Sequence, residues 1–290
     1  MPELPEVETI RQRLIKGFDK SPSILNKSIQ EVRLFWHKTL IEPDPHFFSG
    51  FLPGQQVLAV DRKAKFLILT LSDAFLVIHL RMSGDLYLEH QDNTTDYRDS
   101  RHDRLWLEFE SGWRFVFNDM RKFGRVWLLR DTSDLFANLG PEPFDEELTQ
   151  AVFADMLQKR SRQLKPLLID QSFLAGIGNI YADEALFKAR LHPLRQSDSL
   201  TLTEAGDLLE SIRFVLTKGI DQKGASIDWV YRGGDFQNYF QVYQQTGNPC
   251  PRCGHPIEKI RVGQRGTHFC PVCQTFDLSG NKPGITAKNH

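Results

Sequence analysis

The sequence lacks an excess of charge of either sign. Its 36 Lys and Arg stand against 37 Asp and Glu, a formal net charge of −1 over 290 residues. Any affinity for a polyanion must therefore come from local patches rather than from a global field. Long apolar runs are also missing, since stretches such as Phe75 to Leu80 fall far short of the roughly 18 residues a membrane span needs. No basic segment followed by an apolar one opens the chain, so no secretory signal is read and the chain is expected to be soluble and cytoplasmic, without a membrane partner. Cysteine is scarce. Four residues are too few for a disulfide scaffold, and all four lie between Cys250 and Cys273. Internal repeats, low-complexity tracts and nucleotide-cofactor loops are absent as well.

What remains is an ordinary globular composition, 40% apolar with 20 glycines, in a chain long enough for about two domains. Pro5 suits a first helical turn, and Val7, Ile10 and Leu14 follow at helical spacing until Gly17 can act as C-cap. From about Ser28 to Leu129 the pattern becomes short runs rich in Val, Ile, Leu, Phe and Trp, among them 65–71, 75–79, 105–109, 114–117 and 125–129. Short polar or Gly-bearing breaks separate them at hairpin spacing, which predicts a β-sandwich or barrel-like domain. Polar 89–101 predicts a loop. The composition shifts around Gly140-Pro141-Glu142-Pro143, and 146–159, 180–189 and 203–218 follow with helical period.

Cys250-Pro-Arg-Cys253, sixteen intervening residues and Cys270-Pro-Val-Cys273 match the spacing of a four-thiolate zinc site. Each CxxC turn presents two sulfurs on one face, and the spacer is about what a β-hairpin needs to bring the pairs together. One structural zinc is predicted. With four protein ligands it has no open position and does no chemistry. The alternative, two reducible disulfides or free thiols, disagrees with the intracellular reading.

The opening Met1-Pro2-Glu3-Leu4-Pro5-Glu6 has two readings. A proline in second place allows removal of the initiator methionine, which would leave Pro2 as a secondary amine. An α-amine titrates near about 8 against about 10.4 for lysine, so more of it is neutral and nucleophilic at pH 7. Such amines form Schiff bases with sugar aldehydes, and Glu3 and Glu6 lie close enough in sequence to move a proton there. The bland reading is that Pro followed by Glu suits any helix N-terminus.

Five segments occur in a fixed order: PELPEVE at the start, HLRMSG from His79 to Gly84, DMRKFG from Asp119 to Gly124, GIGNIYADEALF from Gly176 to Phe187, and the four-cysteine module. In this the chain resembles the formamidopyrimidine-DNA glycosylase family over nearly its whole length. Leu4 favours the oxidised-purine branch over the endonuclease VIII branch, whose opening resembles PEGPE.

The resemblance implies an α+β multidomain protein: an N-terminal catalytic β-sandwich with a flanking helix over 1–132, a helix-two-turns-helix DNA-binding domain over 133–232, and a lesion loop with a zinc-finger β-hairpin over 233–290. It implies a monomer acting on damaged double-stranded DNA, with excision of 8-oxoguanine and formamidopyrimidines followed by β,δ-elimination. Pro2 would attack the sugar, Glu3 would protonate its ring oxygen and Glu6 would assist. Lys65 matches the proton donor of β-elimination and Arg265 the arginine assigned to δ-elimination.

By the same resemblance Met82, Arg121 and Phe123 would fill the space left by an extruded nucleotide. His102, Arg160 and Asn179 would contact DNA, with the turn before Asn179 directing N–H groups at a phosphate, and 224–240 would cover the extruded base. The bland alternatives are that Met82 and Phe123 are core residues of strands, that the Arg62-Lys63-Ala64-Lys65 run is a solvated strand edge, and that Lys159, Arg160, Arg162 and Lys165 form a solvated helix face. The sequence departs from the family at Gln244-Gln245, where Gly-Arg is usual, and in a longer tail after Cys273. Two other functions stay open: an endonuclease VIII-like glycosylase of oxidised pyrimidines, and a catalytically silent, zinc-stabilised protein that binds damaged DNA.

Overall fold

A computed structural model describes residues 1–92, 99–227, 231 and 233–275. Parts of the predicted 89–101 loop and of the 224–240 loop, and the tail after 275, lie outside the described residues.

Contacts divide the chain into two compact units, each discontinuous in sequence. The first comprises Met1–Leu148, Ile169–Gly178 and Arg213–Tyr239; the second comprises Thr149–Leu168, Asn179–Ile212 and Phe240–His290.

The first unit opens with helix α1 (Leu4–Lys16), whose Val7, Ile10 and Leu14 are buried as the spacing predicts. Gly17 ends it at φ 76, in the left-handed region where glycine carries no Cβ penalty. The strands that follow are β1 (Ile29–Leu34), β2 (Leu40–Glu42), β3 (Val57–Lys63), β4 (Phe66–Leu71), β5 (Phe75–His79), β6 (Gly84–His90), β7 (Asp103–Phe109), β8 (Trp113–Asp119) and β9 (Arg125–Leu129), with a short helix α2 (Pro45–Phe51) between β2 and β3. They build a four-stranded sheet in the order β1-β7-β8-β6 and a five-stranded sheet in the order β2-β9-β5-β4-β3.

One core joins both sheets to α1: Val60, Leu67, Leu69, Leu76 and Ile78 from one sheet, Leu105, Leu107, Phe115 and Phe117 from the other, and Ile10 and Leu14 from the helix. Alternation with period two puts these side chains on one face of each strand. The predicted strand at 65–71 starts one residue late. Lys63 pairs with Phe66, which leaves Ala64-Lys65 as a two-residue turn with Ala64 at φ 51. A short helix α3 (Ser133–Phe136) follows β9.

In the second unit α4 (Gln150–Gln158) begins four residues later than its period predicts, because the Thr149 hydroxyl accepts the Val152 N–H as an N-cap. Helices α5 (Leu164–Leu168) and α6 (Asn179–Lys188) follow, and α7 (Leu202–Asp221) runs from the second unit's last helical stretch into the first unit's sequence. The predicted hairpin between the cysteine pairs is β10 (Glu258–Val262) with β11 (Arg265–Phe269), antiparallel and in register from Val262–Arg265 outward. Gly263 and Gln264, both at positive φ, make its two-residue turn.

Candidate functional site

The N-terminus is tied down from several directions. Met1 is 43% exposed while Pro2 behind it is buried. Glu3 and Glu6, each 1% exposed, form a reciprocal capping box at the start of α1. The Glu6 carboxylate accepts the Glu3 N–H at 2.7 Å, and the Glu3 carboxylate accepts the N–H of Glu6. The helix-start reading is thus correct, and the same two carboxylates carry further bonds that no helix start requires. Glu3 Oε2 accepts the Gly178 N–H at 2.6 Å, Glu6 Oε1 accepts the Ala225 N–H at 2.8 Å, and the Leu4 N–H donates to the Gly176 carbonyl at 3.0 Å.

Lys65 is 4% exposed, so the reading of its run as a solvated strand edge fails at this residue. Its ammonium donates to the Ile177 carbonyl at 2.7 Å. The turn that turns Lys65 inward is held by Glu142, whose carboxylate accepts the Ala64 N–H at 2.8 Å and the Arg62 guanidinium at 2.7 Å. Arg62 also donates to the Ala64 carbonyl at 2.9 Å and to Glu8 at 3.3 Å. Nothing in the sequence pattern marks Glu142 for this task beyond its place in the Gly-Pro-Glu-Pro break.

The turn at 176–178 was expected to offer its N–H groups to an outside anion. The Gly178 N–H instead serves the Glu3 carboxylate inside the chain. The glycine is required by close approach, since a Cβ there would stand 2.3 Å from Glu3 Cδ.

Met82, Arg121 and Phe123 are all exposed, Met82 at 37% and Phe123 at 43%. The core reading of these apolar side chains is therefore wrong. Met82 lies in the turn between β5 and β6, Arg121 and Phe123 in the turn between β8 and β9, and the Arg121 guanidinium lies 4.9 Å from the Phe123 ring centroid. Lys122 between them is turned aside, its Nζ 4.1 Å from the Trp36 ring centroid. His102 is half-buried, at the end of a short 3-10 turn over Ser100–His102.

The remaining candidates belong to the second unit. Arg160 is exposed just after α4. Asn179 opens α6; its side-chain N–H donates to the Gly266 carbonyl at 3.1 Å, and its Oδ1 is buried with no hydrogen-bond partner among the described residues. Arg265 is exposed at the start of β11. Lys165 departs from the predicted basic surface cluster. It is fully buried, donating to the Asp183 carboxylate and to the Asn179 carbonyl at 2.7 Å. A buried ammonium needs such partners to offset lost hydration. Gln244, where the family usually has glycine, adopts φ 58, the left-handed conformation glycine accepts most readily.

The four cysteine sulfurs lie within 4.8 Å of one another. Cys250 and Cys273 are 3.8 Å apart and Cys253 and Cys270 3.5 Å, near the about 3.8 Å edge of a tetrahedron with Zn–S of about 2.3 Å. The backbone N–H groups of Arg252 and Cys273 point at Cys250 Sγ and Cys270 Sγ, each at 3.4 Å, a charge-assisted contact suited to thiolates. The residues fit one structural zinc held by Cys250, Cys253, Cys270 and Cys273. It closes the loop that carries the β10–β11 hairpin. Among the described residues no helix is long and apolar enough to cross a membrane.

Three family profiles match the chain in order: the formamidopyrimidine-DNA glycosylase N-terminal domain over 1–126, the H2TH domain of the same family over 139–230, and the zinc finger found in FPG and IleRS over 247–275. A formamidopyrimidine-DNA glycosylase of Protochlamydia amoebophila is 43% identical over 94% of this chain and 99% of its own length. One from Enterococcus faecalis is 41% identical over 94% of this chain and 97% of its own. Among solved structures, MutM in complex with carbocyclic 8-oxo-G containing DNA superposes with a TM-score of 0.86 at 35% identity, covering 95% of this chain and all of that one. The Lactococcus lactis FPG (MutM) in complex with a FAPY-dG containing DNA gives 0.85 at 35% identity, covering 94% of this chain and all of that one. Matched by the family's own domains over most of its length, the chain belongs to the formamidopyrimidine-DNA glycosylase family.

Proposed function

We propose that this protein removes oxidised purines, 8-oxoguanine and ring-opened formamidopyrimidines, from duplex DNA and then cleaves the strand at the abasic sugar. The observation that carries this reading is the packing at the N-terminus. Pro2 is followed by a carboxylate, Glu3, and the peptide group that binds Glu3 also receives the Lys65 ammonium. An acid and a buried ammonium held by one backbone segment, with a latent amine next to the acid in the chain, are the parts that imine chemistry on a sugar needs.

Once Met1 is removed, the Pro2 nitrogen attacks C1′, the glycosidic C–N bond breaks, and the base leaves with a proton. Glu3 protonates the ring oxygen, so the sugar opens and a C1′ iminium forms. The iminium acidifies the C2′ proton; its loss expels the 3′ phosphate, and a second elimination expels the 5′ phosphate. Glu6 holds Glu3 through its backbone N–H, Lys65 supplies a proton in the first elimination, and Arg265 serves the second.

A base within the stack is out of reach of this chemistry, so the nucleotide must be extruded. The exposed Met82, Arg121 and Phe123 act as the wedge: thioether and ring replace lost stacking, and the guanidinium addresses the orphaned partner base. His102, Arg160 and the second N–H of the Asn179 amide contact the backbone. These phosphate contacts make binding steeply dependent on salt despite the near-zero net charge. The protein works as a monomer in the cytosol, its tasks divided over 1–132, 133–232 and 233–290.

Borohydride trapping on an 8-oxoguanine duplex, paired with mass analysis of the N-terminus, tests the proposal. A covalent adduct that is lost in Pro2→Gly is expected. A correctly processed protein that forms no adduct overturns the reading in favour of a silent DNA-binding protein, and faster excision of thymine glycol than of 8-oxoguanine would move it to the oxidised-pyrimidine branch.

A further inference from the structure

Two turns meet at one corner of the β-sandwich. The chain leaves the five-stranded sheet at His79 and enters the four-stranded sheet at Gly84; it leaves the four-stranded sheet at Asp119 and re-enters the five-stranded one at Arg125. His79 pairs with Arg125, and Gly84 pairs with Asp119. The same two cross-strand pairs therefore close both turns, and the turn that carries Met82 lies beside the turn that carries Arg121 and Phe123.

Each turn contains a non-glycine residue in the left-handed region, immediately before the apolar side chain that projects. Arg81 at φ 54 precedes Met82, and Lys122 at φ 61 precedes Phe123. L residues avoid this conformation, so hydrogen bonds to neighbouring groups must hold it in place. In the first turn His79 Nδ1 accepts the Arg81 N–H at 2.9 Å. In the second the Asp119 carbonyl accepts the Lys122 N–H at 3.3 Å.

The link between the turns is the Asp119 carboxylate, which is fully buried. Its Oδ2 accepts the Gly124 N–H at 2.7 Å, and its Oδ1 accepts the Arg121 N–H at 3.2 Å and the Ser83 hydroxyl. Ser83, itself 5% exposed, reaches back to the other turn, its Oγ 3.3 Å from the Arg121 nitrogen. Arg104 fixes the base of the arrangement by donating to the Asp119 carbonyl at 2.8 Å.

We propose that Asp119 and Ser83 are positioning residues whose buried carboxylate–hydroxyl contact locks the two turns together, so that Met82, Arg121 and Phe123 enter the duplex as one preorganised wedge. The inference rests on the wedge reading of those three side chains. Its physical content is that ordering the wedge before binding removes an entropic cost that two independent turns would meet during extrusion.

The test uses the full-length zinc-loaded protein and single-turnover excision of 8-oxoguanine from two duplexes, one with cytosine opposite the lesion and one with an abasic analogue there. Extrusion is easier without a partner base. Ser83→Ala is expected to slow excision of the paired lesion by about tenfold, the equivalent of one buried hydrogen bond, and to slow the unpaired one by clearly less; Asp119→Asn is expected to do the same more strongly. A 2-aminopurine beside the lesion should show slower unstacking in both variants. Equal losses on the two duplexes, or none, overturn the inference. Should Asp119→Asn fail to fold, as judged by zinc content and thermal midpoint, Ser83→Ala decides alone. Met82→Ala and Phe123→Ala run alongside: if they leave paired excision intact, the wedge reading itself fails, whereas losses there without a duplex-dependent loss in Ser83→Ala refute only the lock.

Discussion

Glu3 and Lys65 hold opposite ends of one peptide group. The Ile177 carbonyl accepts the Lys65 ammonium at 2.7 Å, and the N–H of the same peptide, on Gly178, donates to Glu3 at 2.6 Å. The carboxylate and the ammonium are thereby set on the two sides of a planar, rigid unit. Neither is left to find its place by side-chain rotamers alone.

Adding a single methyl at that unit should uncouple it. A Cβ on Gly178 would stand 2.3 Å from Glu3 Cδ and 2.5 Å from Oε1, so Gly178→Ala must push the carboxylate away. Misplacement by about an ångström can cost about 100-fold in rate. Single-turnover strand cleavage should fall by at least that order while zinc content stays at one per chain. A rate within twofold of the parent would show that Glu3 need not sit where Gly178 holds it.

Replacing the acid while keeping its shape separates chemistry from packing. In Glu3→Gln the amide oxygen can still accept the Gly178 N–H, so α1 should keep its start, but proton donation is lost. Sugar opening, read as cleavage of the strand after the base has left, should drop by about 10² to 10⁴-fold, the usual worth of a positioned acid, with the thermal midpoint lowered only slightly. A midpoint that collapses together with the activity would assign Glu3 to the fold rather than to the reaction.

Metal removal should act on the second unit. Cys253→Ser, or a strong chelator, is expected to abolish the stoichiometric zinc, because a site with four protein ligands binds through all of them. Without the metal the β10–β11 hairpin, which carries Arg265, loses its closure, and affinity for duplex DNA should fall. Zinc analysis beside a binding titration checks both, and full affinity in the zinc-free protein would contradict the structural assignment.

Acid should destabilise the protein through its buried histidines. Burial, followed by the positive charges of Arg81 and Lys65, pulls the His79 pKa from 6.5 down to about 3, and burial lowers His192 to about 4. Above pH 6.5 both are neutral whether folded or unfolded, and their contribution is fully present. As pH falls from 6.5 toward these depressed values, the unfolded chain takes up protons that the folded chain refuses. Stability is then lost at up to about 1.4 kcal/mol per pH unit for each histidine. Thermal midpoints between pH 7 and 5 should fall, less steeply in His79→Gln. An unchanged slope in that variant would remove His79 as a source.

Much of this molecule is legible in its sequence because much of it is local. The helix at the start, with its apolar spacing and its Gly17 stop, follows from a 3.6-residue period. The two CxxC pairs and their spacer specify a metal site before any fold is known, since each pair places two sulfurs within a single turn. The order of five short motifs was enough to indicate the family, because each is legible as a run of residue types before its packing partners are known.

Other features became visible only when distant segments met. Lys65 reads as a strand edge until Glu142 fixes the Ala64 turn and turns it inward, and Lys165 reads as a surface cation until Asp183 is found beside it. The bonds that define the N-terminal site span 112 residues from Lys65 to Ile177 and 175 from Glu3 to Gly178. No periodicity encodes such pairings. The chain by itself determined which chemical groups it carries and which short elements they ride on; the tertiary structure decided which groups share a peptide, a turn or a buried carboxylate. Those choices depend on how the sheets close around one core, where burial makes each polar group take whichever partner the packing brings within reach.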